Sequence, residues 1–472
     1  MVVGNVPTAV DLVVVGGGPG GYAAALHAAH LGRQVLLVDA DGDEGLGGVC
    51  LRVGCIPSKA MIEAADLHHR IPHAKAMGVR AERGAFDMAQ FQIWKAKKVG
   101  GLTSGVRGLL KAANVSVKRG HLRFTAPGTA VISDGDGVAE FINYKDIILA
   151  TGSRPVELGC LPFDGEFVLS STDALELDKR PDSVAVIGAG YVGVELGTAL
   201  AKLGAKVSLI EAAARVLPAM DASLSRPVAR RLKELDVDVR VNTLVTGHEE
   251  GALTIESNGQ SERLDVACAI VAIGRKPNTD DLELPAVGVE AGEAGLLSPA
   301  EDRSVAPHIY AIGDITPGPA LAHKASAEAL VAARAACGQK DAFEPQAIPA
   351  IVFSDPEVAS VGLSEDEARS LGADVQVTTI PLTASGRAAT LDQRLGFATC
   401  VADTDDGAVL GIHMVGPHAS ELIAEATLAI EMGVTLEDLA LTIHPHPTLS
   451  EQLAELSHLA LGMPVHAPLP KR

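Results

Sequence analysis

Cysteine, basic charge and long apolar runs are all scarce in this chain, and each scarcity removes a class of protein. Six cysteines among 472 residues are too few for a secreted scaffold held by disulfides, and a chain this long buries a core that needs none. Lys and Arg number 39 against 59 Asp and Glu, a formal net charge of −20. Nucleic acid is therefore not expected as a partner, because neutralising phosphates requires clustered Lys and Arg. The negative charge favours solubility and carries no information about substrate. No apolar run approaches the ~18 residues of a membrane span, so no membrane partner is expected. Asp11 and the glycines after Val15 interrupt the first apolar stretch, and no basic leader precedes it. A secretory signal is thus not expected, and a soluble cytoplasmic protein is the default.

What is present is glycine, 49 residues of it, concentrated in a duplicated pattern. Leu12-Val13-Val14-Val15 runs into Gly16-Gly17-Gly18-Pro19-Gly20-Gly21, followed by an Ala-rich helical segment over Tyr22 to Leu31 and a strand over Val35 to Val38 that ends at Asp39. Val184-Ala185-Val186-Ile187 runs into Gly188-Ala189-Gly190-Tyr191-Val192-Gly193, followed by a helix over Val194 to Leu203 and a strand over Val207 to Ile210 that ends at Glu211. Both copies place G-x-G-x-x-G between strand and helix, with an acid 23 residues past the first glycine. That is the dinucleotide fingerprint in the context it requires. Its glycines permit the tight turn and the approach of backbone to pyrophosphate, the helix N-terminus offers N–H groups and a positive dipole end, and the acid accepts from ribose hydroxyls. One copy alone reads also as a glycine-rich turn of another α/β fold; two copies with identical spacing argue for two bound dinucleotides. Further strands end on small residues at Thr151-Gly152, Gly274-Arg275 and Gly313-Asp314, as strands beside a nucleotide do. After about residue 345 no fingerprint recurs, so Ala342 to Pro349 reads as the approach to a separate α+β domain. The length fits about three domains at roughly 150 residues each.

Cys160, Cys268, Cys337 and Cys400 stand singly in apolar surroundings and are expected to be buried packing residues. Cys50-Leu51-Arg52-Val53-Gly54-Cys55, 11 residues past Asp39, is different. On a regular helix the two thiols would lie about 140° apart at 100° per residue, so joining them demands an irregular turn. Gly47, Gly48 and Gly54 supply backbone freedom for one, and Pro57 removes an N–H just beyond. Such a small loop suits an exchange-competent disulfide. As a bare pair these are equally two packing cysteines beside a turn; their position after a dinucleotide fingerprint favours the redox reading. Near the C-terminus, prolines on both sides of His446 restrict its backbone, and Glu451 stands where it can receive a ring N–H, fixing the tautomer and raising basicity. Alone, this segment reads as a structural loop. Beside a redox dithiol it is the best base candidate among 15 histidines, since the thiolate is the nucleophile in disulfide exchange.

Assembled, these residues resemble the lipoamide-type branch of the pyridine nucleotide–disulfide oxidoreductases over nearly the whole chain. Gly47 to Lys59 is similar to that family's active-site segment almost residue for residue, with Ile56-Pro57-Ser58-Lys59 as the lipoamide-type ending, and His446-Pro447-Thr448-Leu449-Ser450-Glu451 is similar to its C-terminal signature. The resemblance implies an α/β fold class with two Rossmann-like dinucleotide-binding domains plus a C-terminal α+β dimerisation domain. The implied division is 1–155 (FAD-binding, with the dithiol), 156–280 (NAD-binding), 281–345 (FAD-binding, central) and 346–472 (dimerisation).

It further implies FAD held by Gly16, Gly18, Pro19, Gly21 and Asp39, with Lys59, Gly120, Thr151, Gly152, Ser153, Asp314, Ala320, Leu321, Ala322 and His323 completing the flavin site. NAD is implied at Gly188, Gly190, Tyr191, Val192, Gly193, Glu195, Glu211 and Gly274, with Glu195 approaching Lys59. Cys55 would face the flavin and Cys50 would exchange with substrate. His446 and Glu451 would reach the disulfide from the second subunit of a homodimer. No metal is expected. Ser326 and Ala327 stand where acids are common in the family, and Gly386 interrupts a segment that usually carries Ser before Arg.

The implied reaction is NAD-dependent oxidation of protein-bound dihydrolipoamide. Lipoyl-bearing proteins, the acyltransferase core of 2-oxoacid dehydrogenase complexes or the glycine cleavage H protein, would be the partners, and no fused lipoyl domain is expected ahead of Gly16. A carboxylate at Glu211 favours NAD by bonding a free 2′-hydroxyl and repelling a 2′-phosphate, although nearby Arg215 leaves NADP open. Glutathione and mercuric reductases are the nearest rivals; Cys400 is the last cysteine, so the extra C-terminal pair of the latter is lacking. A purely structural subunit is the rival from another class, and it would need none of Cys50, Cys55, His446 and Glu451 together.

Overall fold

The structure is a computed structural model that describes residues 7–134 and 139–469; the residues before Pro7, where a leader would lie, are outside the described residues. Apolar runs such as Leu12 to Val15 and Ile147 to Leu149 can be buried on both faces only at the centre of a sheet flanked on both sides. Thr8–Val15 accordingly occupies the middle of an eight-stranded sheet, parallel to Val35–Asp39 on one side and to Ala139–Leu149 on the other. Ser116–Arg119 extends the sheet beyond Val35–Asp39, and Ile309–Ala311 extends it beyond Ala139–Leu149. Helix Pro19–His30 packs on helix Ala322–Ala336, with Ala24, Ala25 and Ala28 in one apolar cluster with Ala329, Ala332 and Ala333. Alanine on both helices lets them lie close.

The second fingerprint opens a parallel five-stranded sheet in which Ser183–Ile187 is central, flanked by Lys206–Ile210 and Cys268–Val271. A two-stranded ribbon, Ser153–Pro155 against Arg275–Pro277, joins the two nucleotide-binding units. The C-terminal unit is an antiparallel five-stranded sheet, Ala350–Val352 through Val409–Val415, backed by helices Ala419–Glu431 and Glu451–Ala460 around its own apolar cluster.

Both fingerprint helices begin three residues earlier than their apolar pattern suggests, at Pro19 and Tyr191. The extended backbone at Gly18 and Gly190 supplies the N-cap, so the last glycine of each fingerprint falls inside the first turn. Of the four single cysteines, Cys268 and Cys400 are buried as expected, whereas Cys337 is only half-buried and Cys160 is exposed. Cys160 sits at the tip of a tight turn between the paired Leu158 and Leu161, and Leu161 takes the inward position instead.

Candidate active site

The two nucleotide loops share one construction. A Cβ on Gly21 would stand 1.8 Å from the Gly16 carbonyl oxygen, and one on Gly193 would stand 1.8 Å from that of Gly188. Only glycine lets each helix come this near its strand. Gly18 and Gly190 offer no side-chain cap, so the first-turn amides are left for an outside anion. The acids serve alike: Asp39 Oδ2 accepts from Gly17 N at 2.7 Å, and Glu211 Oε2 accepts from Ala189 N at 2.7 Å. Each carboxylate is thus held beside its pyrophosphate turn. The second loop lines a cavity of about 400 Å³ together with Tyr191, Val192, Glu211 and Gly274. The Arg215 guanidinium donates to the carbonyls of Pro218 and Met220, within its own loop. These uncapped helix ends and Cβ-free cradles fit dinucleotides.

The redox segment lies directly against the first loop. A Cβ on Gly48, at φ +57°, would meet Gly18 Cα at 2.6 Å. Helix Gly48–Val53 stops, and helix Cys55–Arg70 starts after the break at Gly54. That interruption is the irregular turn the cysteine spacing demands. It opens the second helix on Cys55, whose thiol receives a hydrogen bond from Cys50. This bond, with Lys59 adding to it, outweighs burial and lowers the Cys55 thiol to about 7, while the Cys50 thiol is pushed up by the same bond and by burial. The pair is therefore asymmetric, with Cys55 as the thiolate.

Lys59, one turn after Cys55, donates to Glu195 Oε2 at 2.8 Å and stands 4.4 Å over the Phe353 ring. Glu195 is buried on helix Tyr191–Lys202 and also accepts from Phe353 N at 2.9 Å. Three units of the chain thus converge on one ammonium. Thr151, Gly152 and Ser153 are pinned from the far side of the ribbon: Asn278 bonds the backbone of Thr151 and Gly152, and Arg275 Nε donates to Ser153 Oγ at 2.7 Å. Ser153 Oγ in turn donates to Asp314 Oδ2 at 2.5 Å. A cavity of about 1120 Å³ runs along Ser153, Arg275, Asp314 and Ala320. Leu321 caps helix Ala322–Ala336 without a side-chain bond, and His323 Nε2 lies 2.8 Å from the Pro349 carbonyl. Gly120, at φ +151°, donates its N–H to the Asp39 carbonyl.

Asn278 and Glu328 were not among the residues the sequence singles out, and Arg275 entered only as the end of a strand. Glu328 is fully buried, receives Gly313 N at 2.6 Å and pairs with Arg303 and Lys324, so it fixes the turn that carries Asp314. Its signal was an acid close to the positions where Ser326 and Ala327 replace expected acids.

His446 lies apart from the cysteines, on the C-terminal unit. Its Nδ1 is 2.7 Å from Glu451 Oε1 and the ring is 72% exposed. Burial works against it, but the Thr448 N–H and the His446 ring hold the Glu451 carboxyl below its usual value. Among the described residues no hydrogen bond or ion pair joins His446 to Cys50 or Cys55, and its Nε2 makes no hydrogen bond. His444 is tied instead, Nε2 to Glu425 Oε1 at 2.7 Å and Nδ1 to the Thr442 carbonyl at 2.9 Å.

Two dinucleotide loops around a polarised dithiol define a nucleotide-linked thiol–disulfide oxidoreductase. Residues 10–329 match the pyridine nucleotide-disulphide oxidoreductase family model and residues 348–457 match that family's dimerisation domain; the chain belongs to this family. It is similar to the dihydrolipoyl dehydrogenase of Geobacillus stearothermophilus, 45% identical over 471 residues and 99% of each chain. That of Halobacterium salinarum is 44% identical, again over 99% of each chain. Among solved structures, LpdA from Mycobacterium tuberculosis superposes with a TM-score of 0.88 at 28% identity, covering 95% of this chain and 99% of that one. The HOCl-induced flavoprotein disulfide reductase RclA of Escherichia coli gives 0.84 at 26%, covering 95% and 99%.

Proposed function

We propose that this protein is a homodimeric, FAD-containing dihydrolipoyl dehydrogenase that oxidises the dihydrolipoyl group of another protein and passes the electrons to NAD. The observation that carries the reading is the polarised Cys50–Cys55 pair beside Lys59, at the start of a helix tied to the second nucleotide loop. The dimer is supported by the match to the family's dimerisation domain. No helix among the described residues is long and apolar enough to cross a membrane. A reducing cytoplasmic setting suits a catalytic rather than a structural disulfide. The division at residues 155, 280 and 345 belongs to the same proposal, supported by three separate principal sheets.

In the reaction, His446 of one subunit accepts the proton of a substrate thiol through Nε2, while Glu451 holds the ring by Nδ1. The substrate thiolate attacks Cys50 Sγ of the oxidised pair, and Cys55 leaves as the thiolate that Lys59 stabilises. The second substrate thiol displaces Cys50, so lipoamide is released with its new S–S bond and both enzyme cysteines are reduced. Bound FAD would supply the two-electron carrier that links the reduced dithiol to NAD. Asp39 and Gly18 would hold the flavin dinucleotide; Glu211 and Gly190 would hold the nicotinamide one. With a carboxylate at Glu211 held at the second glycine turn and Arg215 engaged in its own loop, NAD would be favoured over NADP.

Steady-state oxidation of dihydrolipoamide tests the reading, run with NAD or NADP and with a Cys55→Ser variant. Rapid NAD reduction that the variant abolishes is the result expected. An intact, flavin-loaded protein that turns over no dihydrolipoamide but reduces glutathione disulfide would overturn it.

A further inference from the structure

Among the described residues, Lys59 and Glu195 form one of two ion pairs that join the same two helices. Asp66 lies seven residues after Lys59 on helix Cys55–Arg70, and Lys202 lies seven after Glu195 on helix Tyr191–Lys202. Lys202 Nζ reaches Asp66 Oδ1 at 2.5 Å. Both pairs span the same separation of 136 residues with the charges exchanged. The helices run parallel and are bridged twice, two turns or about 10.5 Å apart. Reversal of sign matters: a slip that brought Lys59 toward Lys202, or Asp66 toward Glu195, would set like charges together.

The distal bridge is clasped from the C-terminal unit as well. Asp355 accepts from Lys202 Nζ at 2.8 Å and from Arg231 Nε at 2.9 Å, just as Phe353 N binds Glu195 at the proximal one. The Lys202 side chain is 5% exposed. Burial first, then Lys202 and Arg231, lower His69 to about 4, so the imidazole beside this knot is neutral and adds no third cation. One helix begins at Cys55 and the other at the second nucleotide loop. A slip of one residue would displace either start by about 1.5 Å and rotate it by about 100°.

We propose that Asp66 and Lys202, clasped by Asp355, are positioning residues that lock the axial register between the dithiol helix and the nicotinamide-loop helix, and so set the geometry of hydride transfer. This rests on the function proposed above. The dithiol, Lys59 and the first nucleotide loop belong to one unit, so their electron transfer does not cross the bridged interface. Nicotinamide chemistry does cross it. Misplacement by an ångström at a reacting centre slows reaction by tenfold or more.

The test uses the flavin-loaded dimer with Lys202→Met, Asp66→Ala and both together. Lys202→Met leaves Asp66 and Asp355 facing each other; Asp66→Ala is the milder change, its side chain being 39% exposed. Rapid-mixing kinetics follow flavin reduction by NADH and, separately, by dihydrolipoamide, and equilibrium titration gives the NADH Kd. The expected result is NADH-driven reduction slowed about tenfold, with the dihydrolipoamide step and the NADH Kd within about twofold of the parent, and the double variant no slower than Lys202→Met. Both steps slowed alike, or neither slowed, would overturn the proposal. A parent protein that dihydrolipoamide fails to reduce would remove the substrate reading, while the NADH step would still decide the register.

Discussion

Replacing Lys59 by Met removes the ammonium that lies 2.8 Å from Glu195 and close to the Cys55 thiolate, and two consequences follow in size. Glu195, its side chain 4% exposed, keeps Phe353 N as a donor but loses its counter-charge. Breaking a buried pair from one side costs about 3–5 kcal/mol. Lys59 is 31% exposed, so water enters the vacated space and the lower bound, about 3 kcal/mol, applies. The second consequence is at sulfur. The Cys50 hydrogen bond first, then Lys59, then a backbone hydrogen bond hold Cys55 near 7 against an ordinary value of 9.0. Losing Lys59 raises the Cys55 thiol, so its thiolate fraction at pH 7 falls and its alkylation midpoint moves to higher pH. Iodoacetamide alkylation of the reduced, flavin-loaded dimer, with the Cys55 peptide quantified by mass spectrometry across pH, reads this directly as a slower rate at pH 7 and a midpoint moved to higher pH. An alkylation midpoint that stays put or falls would refute the assignment of Lys59 as the cation serving Cys55.

Gly193→Ala forces a Cβ to within 1.8 Å of the Gly188 carbonyl and should weaken NADH binding at least about tenfold with bound flavin retained; a parental Kd would contradict the close-approach argument. Burial raises the Asp11 carboxyl, but Arg33, Lys145 and the Gln34 N–H outweigh it and bring it to about 2. A depressed carboxylate contributes stability above its unfolded value of about 3.9 and loses it as pH falls through the folded value. Asp11→Asn should therefore lower the thermal midpoint near neutral pH and lower it less at about pH 3; equal losses at both would contradict the pairing.

The parts of the fold that repeat locally were legible. Strand, glycine turn, helix and acid sit within about 25 residues of one another, so spacing alone carried both nucleotide loops. The break between the cysteines was legible for the same reason, since 100° per residue leaves no regular helix that joins Cys50 to Cys55. Charges on helices were not. Lys202, Lys324 and Glu328 look in sequence like the solvated face of an ordinary helix, yet all three are buried; apart from the Lys324–Glu328 pair within one helix, their partners lie on elements that only tertiary packing brings near. Helix starts were misjudged at Pro19 and Tyr191 because apolar periodicity marks where a helix packs, whereas the N-cap geometry of glycine marks where it begins. Cys160 shows the converse error: apolar neighbours in sequence predicted burial, and a turn sent the cysteine outward and Leu161 in.

The central claim is that the dithiol of one subunit works with His446 of the other, and subunit mixing tests it most directly. Cys55→Ser and His446→Ala homodimers are each inactive in dihydrolipoamide oxidation on this account. Unfolding and refolding them together in equal amounts makes half the dimers mixed, each with one intact centre of two, so about a quarter of parental activity should return. Mixed dimers with no activity would place cysteine and histidine in the same chain's centre and contradict the account.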